Sequence, residues 1–278
     1  MKSRTGSWRA AGRIAAFVAA SMLSPSLAAQ AQRAPIDPEA QKLLRSALEY
    51  LANQKQYSVT VEAEYDAPQR GGQKIEFGET RRITVARPDK LRVEIEESNG
   101  AAHLLVFDGK DISFSTPASK VYAQLPKPGT LDHAVVFFVR DLGMRLPLAM
   151  LFLTTAPDEV DHRTRALAYV EKTGILGKPA HHLAGRTDDV DYQAWVADGE
   201  QPLLLRIVLT YRTAQGQPQY RAQLSDWNLT PQVQDSMFTF TPATDARRIA
   251  FLAEMPRAAK AAKRAGSGAK PSASGGGK

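Results

Sequence analysis

Residues 57–65 have the sequence Tyr-Ser-Val-Thr-Val-Glu-Ala-Glu-Tyr, in which apolar and polar residues alternate. Successive side chains of a β-strand point to opposite faces, so this pattern predicts a strand that is buried on one face and solvated on the other. The same alternation recurs in residues 75–85 and 91–95. Three such segments joined by short turns predict an antiparallel sheet with one apolar face.

Strand patterns continue beyond these segments in two runs. Asp108-Gly109 predicts a tight hairpin turn, because glycine tolerates the positive φ that such a turn requires. The first run is expected to be a meander of about six strands that ends near Leu125, and the second extends from Ala166 to Trp227. We expect about ten or eleven strands in all, with residues 238–240 as the last packed segment.

One amphipathic helix is predicted before the first strand. Asp37-Pro38 has the composition of an N-cap followed by proline at the first helical position. Apolar residues then recur at helical spacing as far as Leu51. This opening helix can cover part of the apolar face of the sheet.

A helical insert of about residues 130–153 is predicted between the two runs of strands. It is the most apolar part of the mature chain, and it predicts two short helices, at about 131–141 and 146–153. Gly143 and Pro147 divide the two helices, because both residues disfavour a continuous helix.

Both ends of the chain differ from the body in composition. The first 31 residues contain four basic residues, an apolar stretch at 14–23 and small residues before Ala28 and Ala31, as in a secretory signal peptide that is cleaved after one of these two alanines. Residues 255–278 are rich in Ala, Lys, Arg, Gly and Ser and are expected to be disordered. The charges of this basic tail either keep the protein in solution or attract it weakly to anionic membrane surfaces.

The net charge of +7 is located at the two ends, and residues 32–254, which we expect to form one domain, carry a charge of about −3. We therefore do not expect nucleic-acid binding. The chain contains no cysteine, which excludes disulfides, thiolate metal sites and a thiol for lipid attachment. Together with the signal peptide, this composition predicts a soluble periplasmic protein without a lipid anchor.

Motifs of catalysis are not found in the sequence. It has no Gly-x-Ser-x-Gly elbow, no phosphate-binding glycine-rich loop and no His-Glu-x-x-His pair. His181 and His182 are adjacent in a predicted strand and should point to opposite faces, which disfavours joint metal ligation. We predict no catalytic residue, metal or cofactor; a metal site of His182 with Asp188, Asp189 and Asp191, or a hydrolase, is the less favoured alternative.

Four short motifs occur in a distinctive order along the chain. They are Arg-Pro-Asp-Lys-Leu-Arg-Val at 87–93, Phe-Asp-Gly-Lys at 107–110, Arg-Asp-Leu-Gly-Met-Arg-Leu-Pro-Leu at 140–148 and Phe-Thr-Phe-Thr-Pro at 238–242. Their order resembles the predicted periplasmic proteins catalogued as domain of unknown function 2092, over about residues 37–252. That family is similar to the LolA and LolB lipoprotein carriers and to RseB-type sensor domains.

This resemblance implies an α+β fold in which an antiparallel, incomplete β-barrel wraps around the opening helix and the insert. In the related carriers, helices plug an apolar cavity that lipid acyl chains enter. The resemblance implies no catalytic residues.

The insert contains more large apolar residues than one sheet face ordinarily needs, and aromatic residues and methionine form adaptable walls for apolar ligands. We therefore predict a ligand cavity between sheet and insert. Its predicted lining residues are Phe137, Phe138, Leu142, Met144, Leu148, Met150 and Phe152. The alternative is that these residues are ordinary core.

Two functions follow from these expectations. In the first, the protein is a periplasmic carrier or sensor that binds a lipid acyl chain, free or as part of a lipoprotein, or another elongated apolar ligand. In the second, it is a regulatory or scaffold protein of the envelope, in which its own side chains fill the cavity and a protein partner binds outside.

Overall fold

The computed structural model describes residues 36–141 and 147–251 of the chain. The predicted signal peptide, residues 1–31, and the predicted basic tail, residues 255–278, lie outside this range. None of the helices within the described ranges has the length and apolar character needed to cross a bilayer.

Twelve strands form one open sheet, which confirms the predicted incomplete antiparallel barrel. The strands are β1 (Gln56–Pro68), β2 (Lys74–Ala86), β3 (Lys90–Glu97), β4 (Ala102–Phe107), β5 (Asp111–Thr116), β6 (Val121–Pro126), β7 (Ala166–Ile175), β8 (Lys178–Arg186), β9 (Val190–Ala197), β10 (Leu204–Tyr211), β11 (Gln219–Asn228) and β12 (Arg247–Arg248). Eleven strands agree with the expected number, and the twelfth has only two residues.

The sheet consists of two meanders that lie side by side. Strands β1–β6 each pair with their neighbour in the chain, as do β7–β11, and antiparallel pairing of β1 with β11 joins the two runs. The short β12 adds to β6 in parallel. Strands β12 and β7 are therefore the two edges, and the barrel is not closed.

The described residues also form three α-helices, at Pro38–Ala52 (α1), Leu131–Arg140 (α2) and Ala156–Arg163 (α3), and three short 3-10 turns. As predicted, α1 begins at Asp37, whose carboxylate accepts hydrogen bonds from the backbone N–H groups of Glu39 and Ala40 at 2.8 and 3.3 Å. Its buried residues recur at helical spacing and face the sheet: Ala40, Leu44, Ala47, Leu48 and Leu51.

Strand β1 shows the predicted alternation. Tyr57, Val59, Val61 and Ala63 are buried, and they belong to the same apolar core as the buried face of α1. Strand β2 follows the pattern only in its second half. Ile75 and Phe77, which alternate in the same way, are 40% and 43% exposed, because this end of the β1–β2 hairpin extends beyond the core.

The insert differs from the prediction after its first helix. Helix α2 occupies the position predicted for the first helix. The prediction of a second helix at 146–153 is wrong for the described residues of this range. Of these, only Ala149–Leu151 are helical, and they form a single 3-10 turn. The carbonyl groups of Leu151 and Phe152 accept hydrogen bonds from side chains of the sheet and not from a following helical turn.

A helix that was not predicted, α3, extends the helical region to Arg163. Asp158 and Glu159 therefore lie in the first turn of a helix, where carboxylates are favourable. Asp158 and Asp161 also bind Arg45 of α1, at 3.0 and 2.6 Å, so this acidic cluster attaches α3 to α1.

Gly109 provides a test of the predicted β4–β5 hairpin. Its φ is +87°, and a β-carbon at this position would collide with the carboxylate of Asp89. We expect Gly109→Ala to lower the free energy of unfolding by about 1–2 kcal/mol in chemical denaturation. The control is Gly71→Ala, because Gly71 has open space around its Cβ position and no positive φ; a change of less than about 0.5 kcal/mol is expected there. Equal stability of the two variants would contradict the tight turn at Gly109 between β4 and β5.

Candidate ligand-binding cavity

A cavity of about 490 Å³ lies between the helices and the second meander of the sheet. Strands β9 and β10 form its floor, with three cross-strand pairs in which every residue lines the cavity: Val190 with Tyr211, Tyr192 with Leu209, and Ala194 with Ile207. The residues of each strand are spaced two apart, so their side chains point to one face. The floor is thus a direct result of the alternation in these two strands.

Helices and the segment after α2 form the roof of this cavity. Helix α1 contributes Leu44 and Leu48, which are one turn apart, and α3 contributes Val160. Helix α2 contributes Val139, and the segment after it contributes Leu148, Met150 and Leu151. The roof is therefore mainly apolar, as expected of a site for an apolar ligand.

Two side chains of the sheet hold the roof segment in place. The hydroxyl of Tyr57 donates a hydrogen bond to the carbonyl of Leu151 at 2.6 Å, and Nη1 of Arg87 donates to the carbonyl of Phe152 at 2.7 Å. Tyr57 is fully buried, and burial raises the pKa of its hydroxyl, which remains a donor at physiological pH. The position of the roof therefore depends on strand β1 and on the residue that follows β2.

Two hydroxyl groups, those of Tyr192 and Thr164, form part of the cavity wall. The hydroxyl groups of Tyr192 and Thr164 are 2.9 Å apart, and Thr164 also donates to the carbonyl of Val160. The ring of Tyr192 lies against Gly185 of the neighbouring strand, where any β-carbon would collide with it. Burial raises the pKa of Tyr192. A glycine in β8 thus allows the tyrosine ring to form part of the wall.

Of the predicted lining residues, Leu148 and Met150 line the cavity. Phe138 and Phe152 are buried in the core, and Phe138 borders a separate space of about 20 Å³, enough for no more than a water molecule. Phe137 is half-buried beneath the ammonium group of Lys127, which is 5.0 Å from the ring centre. Leu142 and Met144 lie outside the described residues.

The amino-acid sequence alone does not identify the floor of the cavity. The floor residues lie in predicted strands, and their alternation indicates which side chains share a face. Alternation does not indicate which strands a distant helical insert will cover, because that depends on the pairing of β1 with β11. The tertiary structure is therefore needed to show that β9 and β10, among the described strands, form the floor.

The two adjacent histidines have separate partners. His181 contacts Tyr169 and Asp198, whereas His182 stacks on Trp195 with ring centres 4.1 Å apart and hydrogen-bonds Gln193. Asp188 and Asp191 pair with arginines. Within the described ranges, no group of three histidine or acidic side chains is arranged to hold a metal ion.

The fold is thus an open antiparallel barrel with a helical cover over an apolar cavity. Residues 40–252 match the family described as "Predicted periplasmic protein (DUF2092)". This match covers more than half of the chain, so the chain belongs to that family, and the protein is periplasmic. No curated protein matches the sequence.

Several solved structures are similar to this chain. The lipoprotein LppX of Mycobacterium tuberculosis is 14% identical with a TM-score of 0.46, over 71% of this chain and 100% of LppX. An uncharacterised conserved protein from Thermus thermophilus is 12% identical with a TM-score of 0.45, over 76% and 99% of the two chains. A LolA superfamily protein from Nitrosomonas europaea is 14% identical with a TM-score of 0.38, over 72% and 97%. Because these scores lie below 0.5, the similarities do not by themselves establish a function.

The hydrogen bond between Tyr57 and the roof can be tested with Tyr57→Phe. This change leaves the buried carbonyl of Leu151 without its partner, and we expect the free energy of unfolding to fall by about 1–3 kcal/mol. The control is Tyr50→Phe in α1, whose hydroxyl makes no hydrogen bond with the described residues; a change of less than about 0.5 kcal/mol is expected. Similar denaturation midpoints for the two variants would argue against the anchoring role.

Proposed function

We propose that the protein is a periplasmic binding protein that holds a lipid acyl chain, or another elongated apolar ligand, in the cavity between the sheet and the helices. The supporting observation is the cavity itself. Its volume of about 490 Å³ falls within the range of about 300–1,000 Å³ that is usual for small-molecule sites. The proposal assigns the protein no catalytic step and no cofactor.

The chemistry of the walls favours a hydrocarbon ligand. Apolar side chains of the helices, of the segment after α2 and of β9 and β10 form most of the surface, and polar side chains such as Arg163, Thr187 and Asp189 are a minority of the lining. Burial of apolar surface contributes about 25 cal/mol per Å², so a chain of methylene groups gains affinity here without specific polar contacts. Walls of this kind distinguish apolar from polar ligands more strongly than one hydrocarbon from another.

The alternative function, an envelope scaffold whose cavity is filled by its own side chains, receives less support. The described side chains leave a space of ligand size between roof and floor. In a core filled by the described side chains, this space would be closed by packing, because protein interiors contain few voids larger than a water molecule.

A matched pair of variants in α2 tests the location of the ligand. Val139 and Val136 are similarly exposed, at 42% and 39%, but only Val139 lines the cavity. We expect Val139→Gln to weaken binding of a fluorescent fatty acid several-fold, because it places an amide against the apolar ligand, whereas Val136→Gln should bind like the wild type. Both variants should melt like the wild type, because both side chains are exposed. Equal affinities of the two variants would place the ligand elsewhere.

Direct identification of the ligand requires the native protein. We expect protein recovered from the periplasm to carry a stoichiometric lipid or acylated molecule that mass spectrometry of the organic extract identifies. Two negative results together would contradict the proposed function. The native protein would carry no such molecule, and the refolded protein would not bind a fluorescent fatty acid.

A further inference from the structure

A second cavity, of about 570 Å³, lies next to the first. Pro147 and Tyr211 line both cavities, so the two spaces meet at these residues. The remaining walls of the second cavity come from the β1–β2 hairpin and from β11. Its lining differs from that of the first because it includes buried charged groups.

One of these groups is an ion pair within strand β2. Nη2 of Arg81 is 2.6 Å from Oε1 of Glu79, and the two side chains are 15% and 9% exposed. They are two residues apart and share the face of the strand that carries the buried Ile83. Nε of Arg81 is buried and has no hydrogen-bond partner among the described residues.

The second group is the hydroxyl of Tyr220 in β11. Tyr220 is only 3% exposed, and its hydroxyl has no hydrogen-bond partner in the described part of the chain. Burial raises the pKa of Tyr220 to about 12, so the hydroxyl keeps its proton at physiological pH. The cavity wall therefore contains two residues with buried, unpartnered donors, Arg81 and Tyr220.

Buried donors without partners are rare in proteins because their desolvation is not compensated. In the structure neither of the two atoms is accessible to a water-sized probe. A small movement of the surrounding side chains is therefore needed before an acceptor oxygen can reach them, and a ligand that occupies the cavity can stabilise that movement.

Compensated charges limit the kind of oxygen that fits. Glu79 neutralises Arg81, and the other carboxylate of the lining, Asp66, pairs with Arg221 at 3.1 Å and with Lys74 at 3.7 Å. A carboxylate or phosphate would therefore approach two carboxylates and only one lining cation. Oε1 of Glu79 makes no hydrogen bond with the described residues, but Nη2 of Arg81 lies 2.6 Å away and compensates its charge. A cationic group would therefore not meet an uncompensated carboxylate. An uncharged acceptor avoids both difficulties.

We propose that the second cavity binds the uncharged, oxygen-bearing head group of an amphipathic ligand whose hydrocarbon chain occupies the first cavity. The ligand oxygen is an ester or amide carbonyl or a hydroxyl, and it accepts hydrogen bonds from Nε of Arg81 and the hydroxyl of Tyr220. This inference rests on the proposed function, and it adds the chemical class and the orientation of the ligand.

Calorimetric titration tests the head-group preference with three amphiphiles that have the same chain length. They are monolauroylglycerol, which is uncharged, laurate, which is anionic, and dodecylamine, which is cationic, each below its micelle concentration. We expect monolauroylglycerol to bind most tightly to the wild type. Tyr220→Phe should weaken monolauroylglycerol about fivefold, because one hydrogen bond is lost. It should not lower the melting temperature, because the hydroxyl has no partner among the described residues. Tyr50→Phe is the matched control and should bind as the wild type does.

Fluorescence of N-phenyl-1-naphthylamine, an uncharged apolar probe, reports on the first cavity separately. Its affinity should be the same for the wild type and Tyr220→Phe. If the probe binds but Tyr220→Phe leaves monolauroylglycerol affinity unchanged, or if laurate or dodecylamine binds more tightly, the head-group site is overturned and the proposed function stands. A marked fall in the melting temperature of Tyr220→Phe would also overturn the site. Failure of every probe and amphiphile to bind the wild type would overturn the proposed function itself.

Discussion

The large apolar face of the sheet has to be covered by few helical residues. Twelve strands spaced about 4.8 Å apart span about 50 Å along the hydrogen-bonding direction if laid flat. The longest helix, α1, has 15 residues and is therefore about 22 Å long, and α2 and α3 are shorter. Curvature of the open barrel reduces this mismatch without removing it. Cavities remain between the short helices and the sheet, and the candidate site is one of them.

The cover is joined to the sheet by a small number of polar contacts. Tyr57 and Arg87 bind the carbonyls of Leu151 and Phe152, and Arg45 binds the first turns of α3 through two carboxylates. These contacts differ in strength, because buried hydrogen bonds are costly to lose whereas exposed ion pairs contribute little. The roof segment is thus fixed mainly from the sheet, and α3 mainly by apolar packing.

Local patterns predicted the strands, α1 and α2, because alternation, the Asp37 cap and the turn glycines act over a few residues. One local signal was misinterpreted. The apolar residues 147–153 form mostly non-helical structure, because the side chains of Tyr57 and Arg87 bind the carbonyls of Leu151 and Phe152. The cavity floor in β9 and β10 could not be predicted, because it depends on which strands lie beneath the insert. For the same reason, Leu148 and Met150 line the cavity whereas Phe138 packs in the core.

The charged groups that line the first cavity are exposed to water, whereas those of the second cavity are buried, and in the proposed mode of binding this difference would set the orientation of the ligand. Arg163 and Asp189 at the rim of the first cavity are exposed, and Arg163 already pairs with Glu159, so water and neighbours satisfy them without a ligand. Arg81 and Tyr220 in the second cavity are buried, with a donor that neither water nor a described residue satisfies. In the proposed complex, a head group would therefore gain more at the β1–β2 end than at the rim. The hydrocarbon chain would then extend from Pro147 and Tyr211 over β9 and β10, where the walls are mainly aliphatic.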